Sequence, residues 1–428
     1  MKSTDEEAKL RNAFEYIAAN LDSVTESILK DNSLSEDKRK AETRNRLIEI
    51  RDRVLRLKLI VVVLQNEEDA YLIFETLNTR GKDLTVSDLV RTHITRLLPQ
   101  RNVNVDLPKE RFNAIIEQFE ASQADISINS FLHHYWLSRY EYTTERKLYK
   151  AIKKKMHSPA EVKAYLDSLE SDAIHYRTIH EPSGRKWRLE QQCICDSLAA
   201  LNLFHVRQQI PFVLCVLGEY KNGSISLRQA KRALQAVEDF HFAFTAVTSQ
   251  RSSGGISFMY ALHARQLRDA KSRDKAKVIG ELVAKLRARR PSYQEFEADF
   301  REILCSEKYT KRKALVQYIL GRMTRTLDPS IPIDWKRMTI EHLASQGTRS
   351  NCKVSDKAVA EIGNLLLVSD ELNAKLRNKS FVDKMNILRR SPVYLDDYLK
   401  RQTTWGPKEI RKRSDFLAKI AYDTVWRL

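Results

Sequence analysis

Apolar residues recur through most of this chain at the three- and four-residue intervals of an amphipathic helix. Phe112, Ile115, Ile116 and Phe119 make one stripe; Ala230, Ala233, Leu234 and Val237, continued by Phe240 and Phe244, make another. From about residue 102 to 298 the pattern reads as helix after helix, with breaks at Pro182-Ser183-Gly184, Asn222-Gly223-Ser224 and Ser252-Ser253-Gly254-Gly255, and no repeat of fixed period. A charged helix is expected from Thr4 to Leu29. Two stretches depart from helical spacing. The β-branched run Leu57 to Leu64 reads as a buried strand, followed by a turn and a helix over Asp69 to Leu77 that stops near Asn78 and Gly81. Near the C-terminal end, Ile340-Glu341-His342-Leu343, then Ile362 to Leu367, then Leu372-Asn373-Ala374-Lys375 read as strand, strand and helix. The fold expected is mainly α: a multi-helical body with a small ββα unit at about 335 to 385. Three domains are expected, 1–100, 101–300 and 301–428.

With 428 residues, only 11 Gly and 10 Pro, and 30% charged residues, the composition suits long helices and two or three domains. Lys and Arg number 74 against 56 Asp and Glu, and the resulting +18 favours a polyanionic partner. The excess is uneven: from Glu371 to Leu428 there are 14 basic and 7 acidic residues, a net +7. The cysteines Cys193, Cys195, Cys215, Cys305 and Cys352 lack metal-clip spacing and read as reduced thiols, and no signal peptide or membrane-spanning run is visible. A cytoplasmic protein is expected.

The strand–strand–helix order matters because of what stands on it. Cleaving a phosphodiester needs a base for water, a cation for the charge growing on phosphate, and a group that orients the base. His342, at the end of the first strand, suits the general base; Asn373 and Glu341 offer oxygen ligands for Mg²⁺ or Mn²⁺; Asn364 would fix the His342 loop. Neighbours on a strand point to opposite faces, so Glu341 reaches the metal only if the strand ends there. Lys375, Arg377, Lys379, Arg389 and Arg390 would hold the phosphate backbone. Each residue also has an ordinary reading, as turn chemistry or a solvated helix face. His133, His134, Tyr135 and Trp136, like His241 and Phe242, fit core packing better than a metal site, and the Ser252 to Gly255 loop fits an interhelix turn better than a phosphate cradle.

The run from Thr339 to Lys384, with Thr-Ile-Glu-His-Leu, Ile-Gly-Asn-Leu-Leu-Leu and Leu-Asn-Ala-Lys-Leu-Arg-Asn-Lys-Ser-Phe, resembles the HNH-type nuclease domain of the GmrSD/SspE-like family of modification-dependent restriction enzymes. Trp405, Ile410, Arg413, Leu417, Ala421 and Trp426 resemble its closing helix. The resemblance implies a ββα-metal nuclease with His342 as base and adds Lys384 to the site. One departure is His342-Leu343-Ala344-Ser345, where the family carries His-Ile-x-Pro and so a stiffer turn.

A second resemblance spans Ala70 to Thr85, with Phe74-Glu75-Thr76-Leu77-Asn78-Thr79-Arg80-Gly81, then Asp88-Leu89. It looks like the closing portion of the family's ParB-like domain, whose nucleotide-hydrolysing Asp-Gly-Gln-Gln-Arg motif is not found here. The expectation is that the N-terminal half is absent, either lost or supplied by a separate ParB-like chain docking on residues 1–100, with a homo-oligomer as the state of the isolated chain. The function expected is a metal-dependent DNA endonuclease or nickase of a restriction or antiphage system, acting on DNA that includes modified DNA. A catalytically decayed DNA-binding or scaffold subunit is the alternative.

Overall fold

Serine and threonine caps open helix after helix. Thr85 with Asp88, Ser158 with Glu161, Ser226 with Gln229 and Ser292 with Glu295 form reciprocal capping boxes, each satisfying two backbone N–H groups that the first turn leaves without partners. The computed structural model describes residues 5–31, 33–58, 85–98, 107–250, 254–331, 333–345 and 354–428. It divides into two units, Met1–Leu77 and Asn78–Leu428.

In the first unit α1 (Asp5–Leu29) and α2 (Glu36–Leu55) pack against each other. Leu57 and Lys58 have no regular structure; the remainder of the expected strand, the helix over 69–77 and the loop at Asn78 to Gly81 lie outside the described residues.

The second unit is a helical body: α3 (Val86–Leu97), α4 (Leu107–Glu120), α5 (Ile128–Arg139), α6 (Leu148–Lys155), α7 (Pro159–His180), α8 (Gln192–Leu203), α9 (Ile210–Lys221), α10 (Leu227–His241), α11 (Gly254–Asp269), α12 (Lys275–Ala288), α13 (Tyr293–Arg301) and α14 (Lys313–Leu327). Helix α9 is buried on every side, with Phe212, Val213, Leu214 and Val216 fully covered, as an all-round apolar sequence requires. A break does separate Val247 from α11, but Gly254 and Gly255, expected within it, open the helix. Gly223 takes φ +73°, which explains the turn after α9. His241 and Phe242 are core residues: the imidazole lies between Thr245 Oγ1 at 2.9 Å and Tyr260 Oη at 3.0 Å.

The remainder is β1 (Thr339–His342), α15 (Asp356–Ala360), β2 (Leu365–Val368), α16 (Asp370–Leu376), α17 (Phe381–Leu388), α18 (Asp397–Lys400) and α19 (Pro407–Ile420). The protein is thus mainly α, with a two-stranded antiparallel sheet near the C-terminal end in which Thr339 faces Val368 and His342 faces Leu365. Ile362, Leu365, Leu367, Leu417 and Trp426 join the same core as the body helices, whereas Leu343, Leu366, Leu372, Leu376 and Met385 form a smaller cluster on the other side of the sheet. Alternation along β2 therefore sends residues to both cores, so the sheet is sandwiched.

Candidate active site

His342 ends β1, and its Nε2 lies 2.9 Å from the carbonyl oxygen of Cys305. An acceptor there requires that Nε2 carry the proton of the neutral ring, which leaves the lone pair on Nδ1. Cys305 is held in turn by its N–H donating to the Ala360 carbonyl at 2.9 Å, beside a bridge between Leu304 and Glu361. Burial pushes the His342 pKa below its ordinary value, and the Lys384 ammonium pushes the same way against the Cys305 carbonyl and Glu307. The imidazole is therefore neutral near pH 7, the state a general base needs.

Asn364 is fully buried and its side chain is fully engaged. Its Oδ1 accepts from the Ala344 N–H at 2.7 Å and Trp405 Nε1 at 2.9 Å, while Nδ2 donates to the Ala344 and Val359 carbonyls at 3.0 and 2.8 Å. The Asn364 carbonyl also accepts from the Leu343 N–H at 2.9 Å. Asn364 thus clamps the two residues after His342 and has no capacity left for substrate; it is a positioning residue. The turn before it is equally constrained. A Cβ on Gly363 would stand 2.1 Å from the Ile410 carbonyl oxygen and 2.7 Å from Ser414 N, so only glycine lets α19 approach this closely. Buried Arg413 ties the same turn down, donating to the Gly363 and Leu365 carbonyls at 2.8 and 3.0 Å and to Asp396 at 2.9 Å.

Lys384 and Glu341 correct the expectation made of them. Lys384 is buried, and its Nζ lies 2.6 Å from Glu341 Oε1, donates to the His342 carbonyl at 2.6 Å and to Ser345 Oγ at 3.1 Å. Two of the ammonium's donors are spent on the loop and its charge is paired with Glu341, so Lys384 fixes the loop from a buried position. Glu341 points at a cation already, and a metal on the same oxygen would meet Coulomb repulsion from Lys384. Burial raises the Glu341 pKa, with Lys384 opposing. Ser345, standing where the resembled family carries proline, is the hydroxyl that anchors the loop to Lys384.

Asn373 lies on α16, which packs against β1, and its half-buried amide forms no side-chain hydrogen bond within the described residues. Among the described residues no group of three or more His, Cys, Asp or Glu could hold a metal ion.

Lys375, Arg377, Lys379, Arg389 and Arg390 are exposed, and Arg389 donates to the Lys400 carbonyl at 3.1 Å. Lys375 lines a cavity of about 350 Å³ with Arg337, Val368 and Ser369. Val368 pairs with Thr339, so this cavity lies at the far end of the hairpin from His342, roughly 10 Å away at 3.3 Å per residue. Trp405, Cys305, Arg413 and Ser345 complete the site without having been assigned a role from sequence.

Residues 290–420 match the C-terminal domain of the GmrSD restriction endonucleases, and residues 2–95 match the N-terminal domain of the GmrSD restriction endonuclease. Both GmrSD domains are present in this chain. The expectation of an absent N-terminal half is thereby overturned, and the separate ParB-like chain inferred from it loses its premise: the missing Asp-Gly-Gln-Gln-Arg string was a missing motif, not a missing domain. The C-terminal GmrSD domain implies an endonuclease, and a restriction endonuclease implies DNA as substrate. No curated protein matches the chain. No helix of the described residues is long and apolar enough to cross a membrane.

Proposed function

We propose that this chain hydrolyses phosphodiester bonds in DNA with His342 as the general base, as the endonuclease or nickase of a restriction system. The observation that carries the reading is the His342 imidazole itself, held neutral by burial and by Lys384, and fixed in one tautomer by the Cys305 carbonyl. Its Nδ1 accepts the proton of the attacking water. Asn364 and Lys384 hold the loop on both sides of the base, so the imidazole does not have to be ordered when substrate arrives. Mg²⁺ or Mn²⁺ bound through Asn373 would supply neutralisation of charge on the phosphate. The decayed, non-catalytic alternative drew its support from the absent loop proline, and the Ser345–Lys384 bond gives the loop another anchor.

Supercoiled plasmid incubated with the full chain and Mg²⁺ or Mn²⁺ tests the reading, alongside His342→Ala and Asn373→Ala. Cutting by wild type, its loss in His342→Ala with gel-shift affinity retained, and a raised metal requirement in Asn373→Ala are the expected results. Equal cutting by wild type and His342→Ala would overturn the assignment of the base.

A further inference from the structure

An open cleft of about 720 Å³ lies between α10 and α12, distant in sequence from His342. Arg228, Lys231 and Arg232 of α10, Arg287 of α12, and Arg427 line it. The three α10 residues stand at i, i+3 and i+4, on one helix face with about 5–6 Å between neighbouring Cβ atoms. The only acidic side chain in the lining, Asp239, is buried and directed at Arg322 at 3.4 Å, so it does not neutralise the row.

Ordinary basic residues on solvated helices find acidic partners one turn away. Helix α2 shows this, with Lys40 on Glu36 and Arg53 on Glu49. On α10 the residue one turn after Arg228 is Arg232, and the one after Lys231 is Gln235. Among the described residues Arg228, Lys231, Arg232 and Arg427 enter no ion pair, and Arg287 donates to the Leu428 carbonyl at 2.8 Å. Unneutralised like charges along one wall repel one another, a cost removed when a polyanion occupies the cleft. The cations are strung along two helices and an adjoining residue instead of converging on a point, which suits a chain of phosphates over a single anion.

We propose that this cleft binds the phosphate backbone of DNA, as a second contact away from the cutting site. The proposal rests on the reading of DNA as substrate. It is tested with the full chain, made inert by His342→Ala, binding a fluorescent DNA duplex over a range of salt concentrations. Arg228→Gln with Arg232→Gln should flatten the dependence of log K on log salt by roughly 0.9 for each phosphate contact removed, nearly 2 in all, whereas Arg228→Lys with Arg232→Lys should retain the wild-type slope. A slope unchanged by the glutamine pair, in a protein that binds and cuts DNA when His342 is intact, overturns the cleft and leaves the nuclease reading standing. A wild-type protein that neither binds nor cuts DNA overturns both. Titration with inorganic phosphate separates the remaining source of the same chemistry: saturable phosphate binding abolished by the glutamine pair, with the DNA slope unmoved, assigns the cleft to a small anion and refutes the proposal.

Discussion

Replacing Lys384 by Met removes one ammonium and leaves a methyl-capped chain of similar length in the same buried space. The lysine side chain is 1% exposed and that of its partner Glu341 8%, so the variant strands a carboxylate with almost no access to water. Breaking a buried ion pair from one side costs about 3–5 kcal/mol. The bonds to the His342 carbonyl and Ser345 Oγ go with it, but they belong to the same network, so their loss falls largely inside that range instead of adding to it. Urea unfolding of the full chain measures this term. A second consequence is kinetic. Lys384 helps depress the His342 pKa, so its removal lets that pKa rise, more of the base is protonated at a given pH, and the acid limb of the cutting rate moves to higher pH. Lys384→Met combined with Glu341→Gln removes both charges and should recover most of the stability, because the uncompensated carboxylate, not the missing attraction, is the larger cost. A Lys384→Met protein within about 1 kcal/mol of wild type, with its acid limb unmoved, would refute the argument.

Gly363→Ala should destabilise the chain by about 1–3 kcal/mol or prevent folding of the C-terminal segment, because its Cβ would meet backbone on α19; an unchanged urea midpoint would contradict the contact. Trp405→Phe keeps the ring that stacks on Phe381 at 4.9 Å but deletes the donor to Asn364 Oδ1, which should cost about 1–2 kcal/mol and lower the cutting rate more than DNA affinity, as measured by single-turnover cleavage and gel shift. Burial pushes His134 and His241 down to about 3, so below the unfolded value near 6.5 the unfolded chain binds protons that the folded one refuses. Stability should therefore fall with pH from about 6.5 downward, by about 2 kcal/mol for each histidine at pH 5, and a flat urea midpoint between pH 7 and 5 would count against it.

The pieces of the site legible in the sequence are those written in local pattern. Short apolar runs bounded by polar residues give β1 and β2, and the Ser369 cap gives α16, so the placement of His342 at a strand end and Asn373 on the following helix could be read directly. What could not be read depends on contacts between distant segments. Lys384 has the spacing of a surface lysine and is buried only because α17 lies over the end of β1. Trp405 meets Asn364 across 41 residues, and no local signal joins them. Lys375 lines a cavity with Val368, the partner of Thr339, at the end of the sheet away from His342. The N-terminal domain was misjudged for a related reason: one short motif stood proxy for a fold that is specified by many dispersed positions.

Dispersed contacts also decide how the C-terminal segment is attached to the helical body. Trp426 is fully buried, stacks on Phe242 with ring centroids 3.8 Å apart, and donates from Nε1 to Tyr318 Oη at 2.9 Å. Tyr318 donates to Glu238, which also accepts from Ser197 at 2.5 Å and is paired with Arg322, so residues from α8, α10, α14 and the segment after α19 meet in one buried polar network. An uncompensated member of such a network is costly, and the aromatic packing around it adds area that cannot be exposed cheaply. The segment bearing His342 is therefore built into the body's core, not tethered to it. Arg427, at the lip of the basic cleft, follows the locked Trp426 directly. A DNA chain gripped in that cleft would be referred to the His342 site through packed side chains and not through a flexible linker, so the offset between grip and cut is set by the core itself.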